Sequence, residues 1–349
     1  MKDITFCIPS KDNLRYLKSS ITSIQKNSIT DPKILIFVDS SNDGTVEWLE
    51  ENNIEYLLNK SNTPRGIAYG YNRCIEAATT PIVCMFHADM YMGKGFDVSI
   101  LNYIKRGVVV SGTRIEPPLH PEGKEKIVKN FGMYPEDFKQ REFDQFVEQS
   151  IQNYKGKTTN GIFAPWAIYK EDITSIGMHD EEFHSYHEDS DIFNRFILSG
   201  YELTQSWEAL VYHLTCRGGQ FQDGIEKVTE DKRFHNMKNK AASLYINKWG
   251  SWIQNDEYHH PIITPVYKKS YKLINPKPQL EQALEPWFNQ GEDIKVEING
   301  NTFTQQDFQI IQQLNAIVKD NGEVGEFELG NLKIKINSIT EYQNELIKL

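Results

Sequence analysis

The 349-residue sequence predicts an α/β protein: a mixed, mostly parallel central sheet with helices on both faces, followed by a small α/β C-terminal module. Three observations carry that expectation. Short apolar runs alternate with amphipathic segments through the N-terminal part, as βαβ units require. Polar and acidic residues collect where those runs end, and an open parallel sheet gathers its ligands beyond the carboxyl ends of its strands. Near residue 275 prolines interrupt the pattern, giving an expected main domain over 1–275 and a linker with a small module over 276–349.

Each element can be read in order. "ITFCIP" is a strand, and "NLRYLKSSITSIQKN" places Leu14, Leu17, Ile21 and Ile24 at helical spacing. "KILIFVDSS", "IEYLLN" and "PIVCMFHAD" are the next strands, separated by the helices "DGTVEWLEEN" and "RGIAYGYNRCIEAAT". "VVVSGTRI" is a further strand. Residues 117–160 are polar and loosely periodic, an excursion with one helix around "PEDFKQREFDQFVEQSIQNY". Order returns with "GIFAPWAIYKEDI", the turn-rich "GMHDEEFHSYHED", the helix "SDIFNRFILSG" and the strand "ELTQSWEALVYHL". After the proline-bearing linker "INPKPQLEQALEP", paired strands around a separate helix are expected.

A hydrophobic content of 39% with 12% aromatic residues is that of a globular chain, long enough for a large catalytic domain and an appendage. With 48 acidic against 38 basic residues, the net charge of −10 offers no general footprint for nucleic acid or an anionic membrane surface. No run approaches the roughly 18 apolar residues of a membrane span, and the first residues lack a signal-peptide pattern. Cys7, Cys74, Cys84 and Cys216 form no C-x-x-C pair, so reduced thiols in a cytoplasmic protein are expected.

Three strand ends bring polar groups to one edge: Pro9, Ser10 and Lys11; Asp39 through Asp43; and His87 with Asp89. Asp43 and Thr45 fit a turn capping the next helix. Asp39 directly follows five apolar residues, where it can accept a hydrogen bond from a base or ribose, although a structural role fits equally well. In "FHADMY" a solvated turn accounts for both polar residues. The sharper reading is a divalent cation held by Asp89, helped by His87, against a diphosphate; Mg2+ and Mn2+ commonly use one or two carboxylates plus phosphate oxygens. In "SYHEDSDIF", Ser185 and Glu188 have capping-box spacing, and Glu188 and Asp191 suit a first helical turn. Asp189 instead shares a face with Ile192, Phe193 and Phe196. A carboxylate there is costly unless paired or lining a cleft, where it suits general-base work. His213 ends a strand and, taken alone, is an ordinary hydrogen-bonded histidine; Arg217, before two glycines, can reach a phosphate from a mobile loop.

In sequence order, "ITFCIPSKDNLRYLKSSITSI", "ILIFVDSSNDGT", "RGIAYGYNRCIEAATTPIVCMFHAD" and "ITSIGMHDEEFHSYHEDSDIFNRFILSGYEL" resemble the family 2 glycosyltransferases, whose fold is the Rossmann-like GT-A fold. The resemblance spans roughly residues 3–220. It implies a nucleotide pocket lined by Pro9, Ser10, Asp39, Arg65 and Gly66, with Asp39 on the base. It implies a D-x-D-like motif at His87, Ala88 and Asp89, with Asp89 meeting Mn2+ or Mg2+ and the donor diphosphate. His87 stands where the family has its first acid. Asp189 becomes the general base, His213 a metal or diphosphate contact, and Arg217 a stabiliser of the departing diphosphate. The implied activity is inverting transfer from a nucleotide-sugar, with a UDP-sugar favoured, to a hydroxyl of a glycan or glycoconjugate. Residues 117–160 and the approach to Trp166 lie where the family builds its acceptor site. A modified nucleic-acid base as acceptor, a nucleotidyltransferase and a non-catalytic nucleotide-sugar-binding protein are the alternatives. "IPSKDNLRY" lacks the glycine-rich loop of a nucleotidyltransferase, and Asp189 argues for turnover.

Overall fold

β1 (Ile4–Ser10) is buried along nearly its whole length, as a strand flanked on both edges and covered on both faces must be. It is followed by α1 (Leu14–Asn27), β2 (Lys33–Val38), α2 (Thr45–Glu51), β3 (Tyr56–Leu58), α3 (Ile67–Ala77), β4 (Ile82–Met85), β5 (Met90–Met92) and α4 (Phe96–Tyr103). Then come β6 (Val108–Glu116), β7 (Lys126–Val128), α5 (Gln140–Asn153), β8 (Thr158–Thr159), β9 (Trp166–Tyr169), α6 (Lys170–Ser175), α7 (Glu188–Leu198), β10 (Glu202–His213) and α8 (Lys232–Trp249). The computed structural model describes residues 3–218, 232–249 and 253–263, together with short strands at 267–269, 325–329, 332–336 and 339–341.

The sheet runs β3-β2-β1-β4-β9-β6-β10-β5, with β7 beside β6 and β8 beside β10. β3, β2, β1 and β4 are mutually parallel, as are β6 and β10. β9 is antiparallel to both β4 and β6, and β5 is antiparallel to β10. The mixed, mostly parallel sheet expected from the sequence is therefore present, with helices packed around it. The winding moves outward from β1 to β3, and α3 then returns the chain to place β4 on the other edge of β1. That reversal creates a switch point between β1 and β4, with a crevice beyond their carboxyl ends.

α1 faces the core with Leu17, Ile21 and Ile24, and α7 does so with Ile192, Phe193 and Phe196. Two sequence expectations need correction. The Asp43 carboxylate accepts the Leu14 N–H at 2.8 Å, so it caps α1 rather than α2, which begins at the left-handed Gly44 (φ 82°). The loop after β2 lies over the start of α1, where Asp12 accepts the Asn42 N–H. Trp166 is 2% exposed and packs edge-on against Phe193 and Phe196; it belongs to the core, not to an acceptor surface.

The chain forms two compact units, Met1–Phe234 with Asn255–Pro261 and His235–Gln254 with Ile262–Leu349. The first contains the whole ten-stranded sheet. The second contains most of α8 and two antiparallel pairs: β11 (Tyr267–Lys269) with β14 (Ile339–Glu341), and β12 (Gly325–Leu329) with β13 (Leu332–Ile336). The expected linker and the C-terminal module's helix lie outside the described residues. No helix among the described residues is long and apolar enough to cross a membrane.

Candidate active site

β4 ends at Met85, and His87 and Asp89 follow it into the crevice. The chain then turns immediately into β5, which pairs antiparallel with the end of β10 so that Met90 stands opposite His213. The Leu214 N–H donates to the Asp89 carbonyl at 3.0 Å. This short ladder brings His213 to residues more than a hundred positions earlier. His213 Nε2 lies 3.5 Å from Asp89 Oδ1, and the His87 and His213 rings are 5.7 Å apart between centroids. One ligand atom from each of His87, Asp89 and His213 lies within 4.8 Å of the other two, a donor set of two imidazoles and a carboxylate that fits a divalent cation. Ala88, buried between the two ligand candidates, contributes its place in the turn.

Behind His213 stands Glu116, at the last position of β6. Its Oε1 is 2.8 Å from His213 Nδ1 and accepts from Arg114 Nη1 at 2.9 Å, while Oε2 accepts from Lys126 Nζ at 2.9 Å. Burial opposes both carboxylate charges. The His213 charge outweighs it at Asp89, and Arg114, His213 and Lys126 outweigh it at Glu116, holding both carboxyls far below the usual range. Burial likewise works against the His213 proton, yet Asp89 and Glu116 raise its pKa to about 9. Burial pushes His87 down to about 4, against the pull of Asp89, so its imidazole is neutral at pH 7 and keeps a lone pair for a cation.

The nucleotide-side residues are brought together differently. Asp39 is buried at the end of β2, and its two oxygens accept the Arg65 N–H at 2.9 and 3.0 Å, the Gly66 N–H at 2.8 Å and the Asn59 side-chain amide at 2.7 Å. Gly66 has φ 87°, and a Cβ there would lie 1.9 Å from the His184 carbonyl. The next residue, Ile67, donates its N–H to that same carbonyl at 2.7 Å. This junction ties the start of α3 to the loop leading into α7. The Arg65 guanidinium lies 4.4 Å above the Tyr69 ring. Pro9 packs under Gly70, where a Cβ would come within 2.9 Å of it, and the buried Ser10 hydroxyl has no hydrogen-bond partner among the described residues.

α7 opens at His187 in the left-handed region, with no side-chain cap. The expected capping box is not formed, because the Ser185 hydroxyl donates to the His184 carbonyl instead. Asp189 is half-buried and holds the Ser190 N–H on Oδ1 at 2.6 Å. Its neighbour Glu188 is the more buried acid; burial and then the Asp189 charge push its pKa up to about 8. Asp191 lies in the first turn of α7, as expected, and there it is fully buried and paired with Arg195 at 2.9 Å. Arg217 does not reach out from a mobile loop. It is 2% exposed, its guanidinium lies 5.2 Å from the Tyr134 ring centroid and 5.8 Å from that of Tyr16, and its backbone N–H donates to Asp89 Oδ2 at 3.1 Å.

Sequence reasoning missed Glu116, Arg114 and Lys126. The available signal was a pair of opposite charges two apart at the end of an otherwise uncharged strand. It also missed Asn255–Pro261, which returns to the first unit and places His259 Nε2 3.4 Å from Glu125 Oε1.

Residues 5–176 match the family model for glycosyl transferase family 2. No curated protein matches the chain. The crystal structure of GalNAc-T7 with UDP, GalNAc and Mn2+ aligns at a TM-score of 0.51 and 13% identity, over 74% of this chain and 49% of that one. S. aureus TarS gives a TM-score of 0.43 at 14% identity over 71% and 40% of the two chains; TarS 1–349 with UDP gives 0.42 at 13% over 71% and 66%. The chain thus spans about half the length of GalNAc-T7, with which it shares the GT-A fold.

Proposed function

Since the chain carries a glycosyl transferase family 2 domain over residues 5–176, we propose that it transfers a sugar, with inversion, from a UDP-sugar to a hydroxyl of a glycan or glycoconjugate. The observation that supports this most is the convergence of His87, Asp89 and His213 at the switch-point crevice, within electrostatic reach of Asp189. A divalent cation bound there supplies positive charge against the donor diphosphate. Two imidazoles beside one carboxylate suit Mn2+ better than Mg2+, which favours oxygen-only shells. GalNAc-T7, solved with UDP and Mn2+, supports the same choice of nucleotide and cation.

Asp189 takes the proton of the acceptor hydroxyl as that oxygen bonds to the anomeric carbon. The bond from that carbon to the diphosphate oxygen breaks on the opposite face, and the nucleoside diphosphate leaves with the electron pair. Such a displacement inverts the anomeric centre. The Ser190 N–H on Oδ1 fixes the Asp189 carboxyl plane, and a protonated Glu188 keeps a second negative charge away from it. The buried Ser10 hydroxyl and the loop braced by Asp39 shape the base pocket, while the backbone N–H of Arg217 helps hold Asp89.

The test is a screen of UDP-, GDP- and dTDP-sugars for Mn2+-dependent thermal stabilisation and donor hydrolysis. A UDP-sugar is expected to respond. Asp89→Ala should lose the Mn2+ effect, and Asp189→Ala should keep donor binding while turnover falls about 10²-fold or more. Absence of nucleotide binding, or full turnover in Asp189→Ala, overturns the reading.

A further inference from the structure

We infer that Glu116 is the positioning residue of the cation site: it grips His213 by Nδ1, so that Nε2 is the nitrogen offered to the cation beside Asp89. The inference rests on the cation-dependent reading above and concerns a residue that reading does not use. β6 is uncharged until it closes with Arg114, Ile115 and Glu116, and side chains two apart on a strand share a face. In the parallel register Tyr212 stands opposite Ile115, and the next residue, His213, meets Glu116 at 2.8 Å. Lys126 stands opposite Arg114 on β7, from which its ammonium reaches Glu116 Oε2.

The chemistry follows from what each atom can do. Glu116 is 2% exposed and flanked by two cations, so it is an ionised carboxylate that only accepts hydrogen bonds. His213 Nδ1 must therefore be the donor, and Nε2, 3.5 Å from Asp89 Oδ1, is the ring nitrogen a cation can take by displacing its proton. Both Glu116 oxygens are occupied by Arg114, Lys126 and His213, so Glu116 is not itself a ligand. Ligating histidines characteristically donate their other N–H to such a partner, and losing the partner costs about 10–100-fold in metal affinity.

Mn2+ is titrated into the full-length metal-free protein, with free Mn2+ followed by electron paramagnetic resonance, for the wild type and for Glu116→Gln. The dissociation constant is expected to rise about 10–100-fold in the variant. A merely structural role would lower the unfolding temperature without moving that constant, so affinity within twofold of wild type overturns the positioning role and leaves the transferase reading intact. A crystal structure of the wild-type protein with Mn2+ needs no variant: the ion on Nε2 supports the inference, and the ion on Nδ1 overturns it. Failure of the wild-type protein to bind Mn2+ overturns both this inference and the cation-dependent reading.

Discussion

Asp39 and Asp89 follow β2 and β4, the two buried strands that flank β1, and are nearly inaccessible, at 4% and 7% exposure, yet their surroundings solve the problem of a buried charge in opposite ways. Around Asp39 the chain supplies its own donors: two backbone N–H groups and an asparagine amide, all from the 59–66 loop. Around Asp89 the nearest partners are two imidazoles and one distant backbone N–H. The first carboxylate organises a loop, and the second stands in a donor set that fits a divalent cation. Glu188 is a third case. Its Oε2 has no hydrogen-bond partner among the described residues, so burial keeps the acid protonated. A buried acid is thus structural, ligating or neutral according to who supplies the compensating positive charge.

The comparison breaks most visibly at Gly66. Alanine there meets both a left-handed backbone and a carbonyl 1.9 Å from its Cβ, so Gly66→Ala is expected to cost about 3 kcal/mol or more in thermal unfolding. A variant as stable as wild type would remove the brace from the Asp39 side of the comparison. Asp39→Asn comes next. One oxygen becomes a donor facing N–H groups, and about 2 kcal/mol should be lost in denaturant unfolding before any ligand is added.

Glu188→Gln sharpens the third case through its pH dependence. A group whose folded pKa is raised contributes stability in full below its unfolded value and loses it as pH rises to the folded one. For Glu188 that window runs from about 4.5 to about 8. The stability of Glu188→Gln relative to wild type should therefore climb across this range and level off above it; a flat difference, measured by melting at several pH values, means the acid is ionised throughout. The smallest expected effect is the control. Arg15 and Glu136 pair while half of each side chain remains exposed, so Arg15→Ala should move stability by less than about 1 kcal/mol.

How much of this was legible in the sequence depended on range. β1, β2 and β4 declared themselves by apolar runs, β6 and β10 by shorter apolar clusters within them, and α1, α3 and α7 by their stripes. β5 did not, because three residues of "MYM" after a polar turn carry no periodicity, and β5 sets His213 beside Asp89. His87, Asp89 and His213 were each visible as strand-end residues, but their meeting is a matter of register that no single segment encodes. Glu116 escaped because the strand was read as ending at Ile115. Asp43 capped the other helix because the loop folds back onto α1, a tertiary fact invisible to local spacing.

The return of Asn255–Pro261 to the sheet unit means that this unit is not one uninterrupted length of chain. Within it, Lys124 grips Glu257 at 2.6 Å, the Asn160 carbonyl contacts His260 Nδ1 at 2.8 Å, and Gly161 lies so close to the Tyr258 carbonyl that a Cβ would come within 2.3 Å. A protease cut between 235 and 254 would leave this segment held to the sheet unit by such contacts, His259 beside Glu125 among them, and a fragment stopped at 234 would lack the partner that Asn160 and Gly161 are shaped to receive. The boundary of the sheet unit is therefore set in space and crossed three times by the backbone.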